Sequence, residues 1–317
     1  MNNLSSDVCP AFLVGAHRSG TTLLRLMLDH HPDISVPGEF DFLTEIMAER
    51  TNQPTASEYL QRLSLHRGFL AQSFHVDPDA SYSGLVRSFV QQLYYRNPSR
   101  VFVAVVHIGF QELARIWPDA KFIHMVRDPR DVAASAVKLG WAGNVYTGVQ
   151  RWLAAESAWD NLARAIPTTN RCEVQFEKLI ANPESTLRQL CEFLAVPYSP
   201  KMLNYHQNTT YDAPDPSLTN QWKRKLSPTE IGLVEGAVGV LLEDRGYQPS
   251  GYDTIRPSYW KGRQLLVQDR IARFLFRIKR FGFVNTVGVS LAGRFKLPNA
   301  QRKFQLRINE ISKDHVK

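Results

Sequence analysis

Arg18, Ser19, Thr21 and Thr22 fall within the span Gly15-Ala-His-Arg-Ser-Gly-Thr-Thr22, which offers a guanidinium and three hydroxyls to one anion. The apolar run Ala11–Val14 before it has the length of a buried strand. After it, Leu23, Leu24, Met27 and Leu28 share one face at helical spacing. Strand, glycine-bounded turn and helix start together form an anion cradle, because the free N–H groups of the first helical turn converge and the helix dipole adds positive charge. Gly15 and Gly20 have Walker A spacing, yet Thr21 stands where a nucleotide triphosphatase needs lysine. The expected ligand is therefore a phosphate-type anion held through arginine. The plain alternative is a strand–turn–helix with incidental glycines, and the main enzymatic rival is a P-loop kinase.

A second clamp is expected further on. Lys121–Val126 reads as a strand that ends in Arg127-Asp128-Pro129-Arg130-Asp131, with a helix through Val132, Ala133, Val137 and Leu139. Arg127 leaves the strand's carboxyl end and Ser135 faces back from the next helix, so the pair can grip an anionic group some distance from the first cradle. Asp128 before Pro129 is a helix cap. Two clamps at successive strand ends call for a ligand with phosphates on two arms.

Two candidate bases complete the set. Glu39 lies just past the short strand Ile34–Val36, at the side of an open α/β sheet where ligands collect. A solvated turn glutamate is the plain alternative. His107 ends the apolar run Val101–Val106; it is either a helix-start histidine or a contact to the reacting group. No Asp, His or Cys cluster has metal-ligand spacing, so no metal is expected.

The elements that must position these groups follow from periodicity. Val101–Val106 is a strand buried on both faces. Residues 41–95 read as an amphipathic helical insertion able to wall an acceptor pocket. Arg171–Phe176 is a last strand, residues 198–218 a long loop of the kind that forms lids, and Ser227-Pro-Thr-Glu230 a capping box opening the closing helix. Lys223, Arg224 and Lys225 beside Trp222 are either a solvated charge run or a ligand-phosphate contact.

Composition is that of a globular chain, with 44% hydrophobic and 21% charged residues among 317. Three cysteines without metal spacing fit a reduced, cytoplasmic protein. The N-terminal apolar run is too short for a membrane span, so no secretory or anchoring segment is expected. The net charge of +8 is uneven. Residues 251–317 carry 15 basic and 4 acidic side chains, net +11, while residues 1–250 carry 23 and 26, net −3. The chain is accordingly divided into a domain over 1–250 and a basic extension over 251–317. In the extension Ile271, Phe274, Leu275 and Ile278 make one helical face and Arg270, Arg273, Arg277 and Arg280 the others. Such a helix lies on an anionic membrane surface, peripherally, or docks on its own domain with arginines outward; the second is preferred. One basic helix without a recognised motif gives no reason to expect a nucleic-acid partner.

These residues resemble the sulfotransferases that use 3′-phosphoadenosine 5′-phosphosulfate (PAPS). Arg18-Ser-Gly-Thr-Thr22 is similar to their 5′-phosphosulfate loop, and Arg127 with Ser135 to their 3′-phosphate pair. His31-Pro32-Asp33 followed by Glu39 resembles the bacterial group similar to protein-tyrosine sulfotransferases. The resemblance spans about Phe12 to Tyr247. It implies a P-loop-like parallel sheet flanked by helices, PAPS as co-substrate with 3′-phosphoadenosine 5′-phosphate (PAP) as product, and Glu39 as general base. It also implies that Arg18 assists the leaving phosphate, with Arg18, Ser19, Gly20, Thr21, Thr22, Arg127 and Ser135 binding the nucleotide. His107, in the position that resembles the histidine of the cytosolic enzymes' Lys-Thr-His, is the second candidate base. Two departures stand out. Relatives carry Lys-Thr-Pro after the strand that precedes Lys121–Val126, and alignment on Trp117-Pro118 puts Phe102-Val103-Ala104 there. Phe176 stands where a nucleotide-contacting tyrosine is common.

The expected reaction is in-line sulfuryl transfer to a hydroxyl of a carbohydrate, glycolipid or small molecule, with peptide tyrosine second. A free glutamate (pKa roughly 4.3) is a weak base for an alcohol, so burial must raise its value or the proton must move in concert with bond formation. Besides the kinase, a non-catalytic protein that binds nucleotide or a membrane surface is the alternative.

Overall fold

The computed structural model describes residues 9–313 apart from 51 and 296. The described residues form two units: 9–127 with 154–219, and 128–153 with 220–313.

The first unit is organised by five parallel strands: β1 (Ala11–Gly15), β2 (Ile34–Ser35), β3 (Val101–Val106), β4 (Lys121–Val126) and β5 (Arg171–Gln175), in the order β2-β3-β1-β4-β5. β1 is central, with Val14 opposite Val106 on one side and Gly15 opposite Met125 on the other. All the residues that leave the carboxyl ends of β1, β3 and β4 therefore start out as neighbours, which is what brings the candidate site together.

Alternation along the strands feeds two cores. Phe12, Val14, Phe102, Ala104, Val106 and Phe122 point to one face, and Leu13, Val103, Val105, Ile123 and Met125 to the other. The first core takes in residues of the 41–95 segment, including Phe42, Tyr59, Phe89 and Val90, so the insertion is part of the sheet's own packing. It consists of 3₁₀ turns over Asp41–Leu43 and Glu45–Glu49 and helices over Ala56–Leu63, Arg67–Leu70 and Tyr82–Arg96. The second core receives α1 (Thr21–Asp29) through Leu24 and Met27, and the helix Pro183–Leu194 through Leu187, Leu190, Cys191 and Leu194, the face read from its spacing.

In the second unit Asp128 caps the helix Pro129–Lys138 through the Arg130 N–H, as its place before Pro129 predicts. Arg130, buried, pairs with Asp128 at 2.7 Å and Glu235 at 2.6 Å and lies 3.8 Å over the Trp222 ring. Trp222 is thus a core residue, while Lys223, Arg224 and Lys225 are exposed. The capping box Ser227/Glu230 is formed.

The basic helix, Tyr259–Phe281, docks within this unit, but by a different face from the one expected. Its seam is Leu265, Asp269, Ala272 and Phe276. Asp269 Oδ1 accepts from the Gly143 N–H at 2.7 Å and the Thr147 hydroxyl at 2.8 Å, and the Leu265 carbonyl accepts from Asn144. Gly140 and Gly143 let the helix approach: a Cβ on Gly140 would sit 2.2 Å from the Phe276 ring, and one on Gly143 2.6 Å from Asp269 Cα. Ile271, Phe274 and Leu275 are left exposed on the far side. Helical periodicity could not choose between the two stripes, because the docked one is anchored by a carboxylate rather than by apolar bulk.

Candidate active site

The loop that follows β1 is tightly constrained. Gly15 passes so close to β4 that a Cβ would lie 2.3 Å from the Met125 carbonyl oxygen. Arg18 adopts a left-handed backbone (φ 72°), a conformation that costs a non-glycine residue roughly 1–2 kcal/mol and is typical of functional turns. Gly20 (φ 95°) caps α1 without any side-chain hydrogen bond, so the first-turn N–H groups have no capping partner from that residue. The Ser19 hydroxyl is wholly buried and has no hydrogen-bond partner among the described residues. A buried orphan hydroxyl beside uncapped amides is the arrangement a bound oxyanion completes.

Arg127 lies closer to this loop than the sequence suggests. Its Nη1 donates to the Arg18 carbonyl at 3.2 Å and its Nη2 to the Leu218 carbonyl at 2.6 Å, while its guanidinium stacks 4.3 Å over the Phe176 ring. The cause is the pairing of β1 with β4, which makes the two strand exits adjacent. Phe176 packs onto Gly20, where a Cβ would come within 2.3 Å of the ring. Together with Thr21, Thr22, Tyr211 and Leu218 these residues line a cavity of about 370 Å³, a size usual for ligand sites. The 198–218 segment, expected as a loop, carries 3₁₀ helices over Pro200–Gln207 and Pro216–Leu218 and supplies part of the wall. Burial, and then the charge of Arg127, pull the Arg18 guanidinium below its ordinary value. Glu39 and Tyr211 offset part of that effect, and the two guanidiniums share one cavity wall.

Glu39 reaches the loop by backbone pairing, which the sequence does not reveal. It forms a parallel bridge with Val105, and the Phe40 N–H donates to the Val105 carbonyl at 2.8 Å. Its side chain is exposed, and Oε1 accepts from the Thr22 hydroxyl at 3.1 Å. His107 follows β3 directly and is buried, with Nε2 2.9 Å from the Thr21 hydroxyl. Each candidate base therefore touches one threonine of the loop. Phe102-Val103-Ala104 lies inside β3, paired with β1 and β2, and not after the strand. The alignment drawn through Trp117 is corrected accordingly: the residue that follows the strand is His107.

Two further members went unnoticed in the sequence. Asp41 accepts from the His107 backbone N–H at 2.6 Å, from His107 Nδ1 at 3.2 Å and from His17 Nε2 at 3.1 Å. The two imidazoles stack with centroids 4.1 Å apart. Burial would raise the Asp41 carboxyl, but the His107 charge and hydrogen bonds from both rings hold it far below the usual carboxylate range. Burial opposes charge on His107 too, and attraction and hydrogen bonding from Asp41 outweigh it, so its net shift is upward. His17 is pushed down by burial and then by the His107 charge. Asp41 therefore favours the charged form of His107 over that of His17. The ligating atoms of His17, Asp41 and His107 all lie within 4.8 Å of one another, a grouping hidden by sequence separations of 24 and 66. The expectation that no such cluster exists is therefore corrected for these three residues, whose ligating atoms also make the hydrogen bonds given above.

Of the residues singled out by sequence, Arg18, Ser19, Gly20, Thr21, Thr22 and Arg127 are brought together, with Glu39 and His107 joined to them through Thr22 and Thr21. Ser135 is half-buried on the helix Pro129–Lys138 of the second unit.

Comparison with known proteins agrees with this architecture. The chain aligns with protein-tyrosine sulfotransferase A of Caenorhabditis elegans at 24% identity, over 74% of this chain and 62% of that protein. It aligns with protein-tyrosine sulfotransferase 1 of Homo sapiens at 26%, over 75% and 65%. It thus spans a little under two thirds of the length of these relatives. Among solved structures, the sulfotransferase domain from the curacin biosynthetic pathway superposes with a TM-score of 0.55 at 22% identity, covering 77% of this chain and 99% of that one. The sulfotransferase domain of the Synechococcus PCC 7002 olefin synthase gives 0.52, also at 22%, covering 74% and 96%. At that identity the likeness is one of fold. The model described as "Sulfotransferase family" matches residues 10–200, well over half the chain, and the chain belongs to that family.

Proposed function

We propose that the chain transfers a sulfuryl group from PAPS to an acceptor hydroxyl, with the Arg18–Thr22 loop holding the 5′-phosphosulfate. The observation that carries this reading is the convergence of Arg18, the uncapped start of α1, Arg127 and Phe176 on one cavity, with Glu39 and His107 each hydrogen-bonded to a loop threonine. The orphan Ser19 hydroxyl and the paired guanidiniums fit a doubly charged ligand. The Phe176 ring, already stacked by Arg127, fits the flat face of an adenine. By resemblance Ser135 is assigned to the 3′-phosphate.

The chain's own groups divide the work. Glu39 takes the acceptor proton as the oxygen–sulfur bond forms and the bond from sulfur to the phosphate oxygen breaks. Arg18 and the amides of the first helical turn stabilise the charge arriving on that oxygen. His107, whose charged form Asp41 favours, stands beside Thr21 just after the strand, where the resemblance implies a lysine. Glu39 is exposed at the cavity's edge and hydrogen-bonded to Thr22, and it takes the proton in concert with bond formation. A carboxylate removes a phenolic proton more readily than an alcoholic one, since tyrosine ionises near pH ~10. That chemistry, and the names of the aligned relatives, put a tyrosyl hydroxyl first among acceptors and the alcohols of carbohydrates or glycolipids second.

The test is calorimetric titration with PAP and with ATP, each with and without magnesium, followed by transfer of labelled sulfate from PAPS to tyrosine peptides and to a sugar and glycolipid panel. Tight PAP binding and labelled product are expected. Binding of ATP–magnesium in preference to PAP would make the chain a kinase, and PAP binding with no labelled product from either panel would remove the transfer reaction.

A further inference from the structure

Beside the docked basic helix lies a second cavity, about 430 Å³, well apart in chemistry from the first. Arg151, Arg270, Arg273 and Arg277 line it, with Trp141 and Phe274. Among the described residues Asp269 is the carboxylate recorded against this group, acting on Arg151 and Arg273; its Oδ2 lies 3.3 Å from Arg273 Nε and its Oδ1 is taken by Gly143 and Thr147. Burial, and then the Arg273 charge, lower the Arg151 guanidinium, whose Cζ lies 5.7 Å over the Trp141 ring. The pocket therefore carries a large uncompensated positive charge next to aromatic surface.

What adjoins it is apolar. Ile271 (56% exposed), Phe274 (42%) and Leu275 (58%) run along the same helix at three- and four-residue spacing, on the side away from the Leu265–Phe276 seam. Phe283, Val284 and Leu291 of the following helix, Phe283–Arg294, and Phe295 just after it are also exposed. An arginine row flanking an apolar stripe on a docked helix is the pattern of a helix lying in a membrane interface. No helix among the described residues is long and apolar enough to cross one.

We propose that this face is a peripheral docking surface for an anionic lipid bilayer, with a headgroup phosphate seated among Arg151, Arg270, Arg273 and Arg277 and with Ile271, Phe274 and Leu275 entering the acyl boundary. Charge complementarity selects the occupant: the 251–317 segment has a net charge of +11, which a second copy of this chain would repel and an anionic leaflet attracts. The surface lies outside the proposed catalytic groups and does not depend on what they do.

The experiment is vesicle flotation of the full chain with phosphatidylcholine alone and with phosphatidylcholine containing about one third phosphatidylglycerol, a content chosen for a strong surface potential. Flotation with the anionic vesicles only, abolished near 1 M salt where the Debye length is ~3 Å, is expected. Each arginine neutralised near the surface should weaken partition about fivefold, so Arg270→Gln with Arg277→Gln gives roughly 25-fold. Ile271→Ser with Leu275→Ser should weaken it at least about tenfold through lost apolar burial. Unchanged circular-dichroism melting shows that the variants are folded; if one is not, the salt response of the unaltered chain still decides. Equal flotation with neutral vesicles, or flotation indifferent to salt and to both pairs of substitutions, overturns the proposal. So does glycerol phosphate binding without vesicle binding, or a dimer seen by light scattering that Ile271→Ser/Leu275→Ser dissolves.

Discussion

Asp41→Asn is the substitution that most directly probes the electrostatics of the site. The carboxylate accepts three N–H groups, two of them from imidazoles, and is itself largely buried with His107. Hydrogen bonds to a charged group contribute about 1.5–3 kcal/mol each, and breaking a buried ion pair by removing one partner costs about 3–5 kcal/mol. Asparagine keeps one accepting oxygen, for the His107 backbone N–H, so a loss of about 3–4 kcal/mol is expected when His107 is charged. The sign of the pH dependence follows from the shifts. His107 is raised, so its contribution is complete below the ordinary imidazole value near pH ~6.5 and fades as pH climbs through the raised one. Asp41 is depressed, so its contribution is complete above the ordinary carboxylate value of ~3.9 and is lost only when pH falls through the lowered one. The pair is at full strength between these ordinary values.

In the variant, burial acts on His107 without its main opponent. Among the remaining neighbours Glu39 raises the imidazole and Arg18 lowers it, so its value should drop below the ordinary one. The stability difference between the two proteins should therefore be largest near pH ~5.5 and shrink to about 1–2 kcal/mol as pH climbs through the raised His107 value. His124, raised against its burial by Glu156 and Glu173, titrates alike in both proteins and cancels. Urea unfolding at several pH values, with nitrogen-15 detection of the His107 ring, measures both quantities. A pH-independent difference, or a His107 midpoint still raised in Asp41→Asn, would show that Asp41 does not hold the proton there.

Three further outcomes are expected. Glu39→Ala should lower kcat at least about 10²-fold, the usual scale for a positioned base, with PAP affinity unchanged by calorimetry; normal turnover would move the role to His107, to be tried next as His107→Ala. Arg127→Ala should weaken PAP binding about 10- to 100-fold, since a charge-assisted hydrogen bond and the stack on Phe176 are both lost; an unchanged isotherm removes Arg127 from the site. Gly20→Ala should lower stability by about 2–3 kcal/mol and PAP affinity with it, because φ 95° is strained for alanine and its Cβ would meet Phe176 at 2.3 Å; a melting temperature and isotherm like those of the parent would mean the ring does not rest on the loop.

The parts of this site visible in the sequence are those written in local patterns. Gly15 and Gly20 with the apolar run before them and Leu23, Leu24 and Met27 behind fix a strand–turn–helix, and Asp128-Pro129 marks a helix start. Glu39 could be nominated from its place past a short strand, but its attachment to Val105 is a pairing between segments 66 residues apart. Asp41 carried no local signal at all. It opens a 3₁₀ turn and looks like a solvated loop acid until β3 delivers His107 to it. The Lys-Thr-Pro position was misplaced because sequence alignment through Trp117 ignores where β3 stops; the hydrogen-bond ladder puts Ala104 opposite Phe12, deep in the sheet.

The same distinction explains the basic helix. Apolar periodicity assigned Ile271, Phe274 and Leu275 inward, on the assumption that the most hydrophobic stripe docks. The stripe that does dock pairs one leucine and one phenylalanine with a buried aspartate, and Asp269 is stabilised there by two donors from the partner segment, Gly143 and Thr147. A carboxylate with satisfied hydrogen bonds can hold a seam as well as a methyl group can, provided glycines allow the backbones to meet, as Gly140 and Gly143 do. Hydropathy cannot score that arrangement, because it counts the aspartate as surface. The consequence is physical: a helix that docks through a narrow seam of Leu265, Asp269, Ala272 and Phe276 leaves its more hydrophobic stripe for something else, and among arginines that something is expected to be anionic.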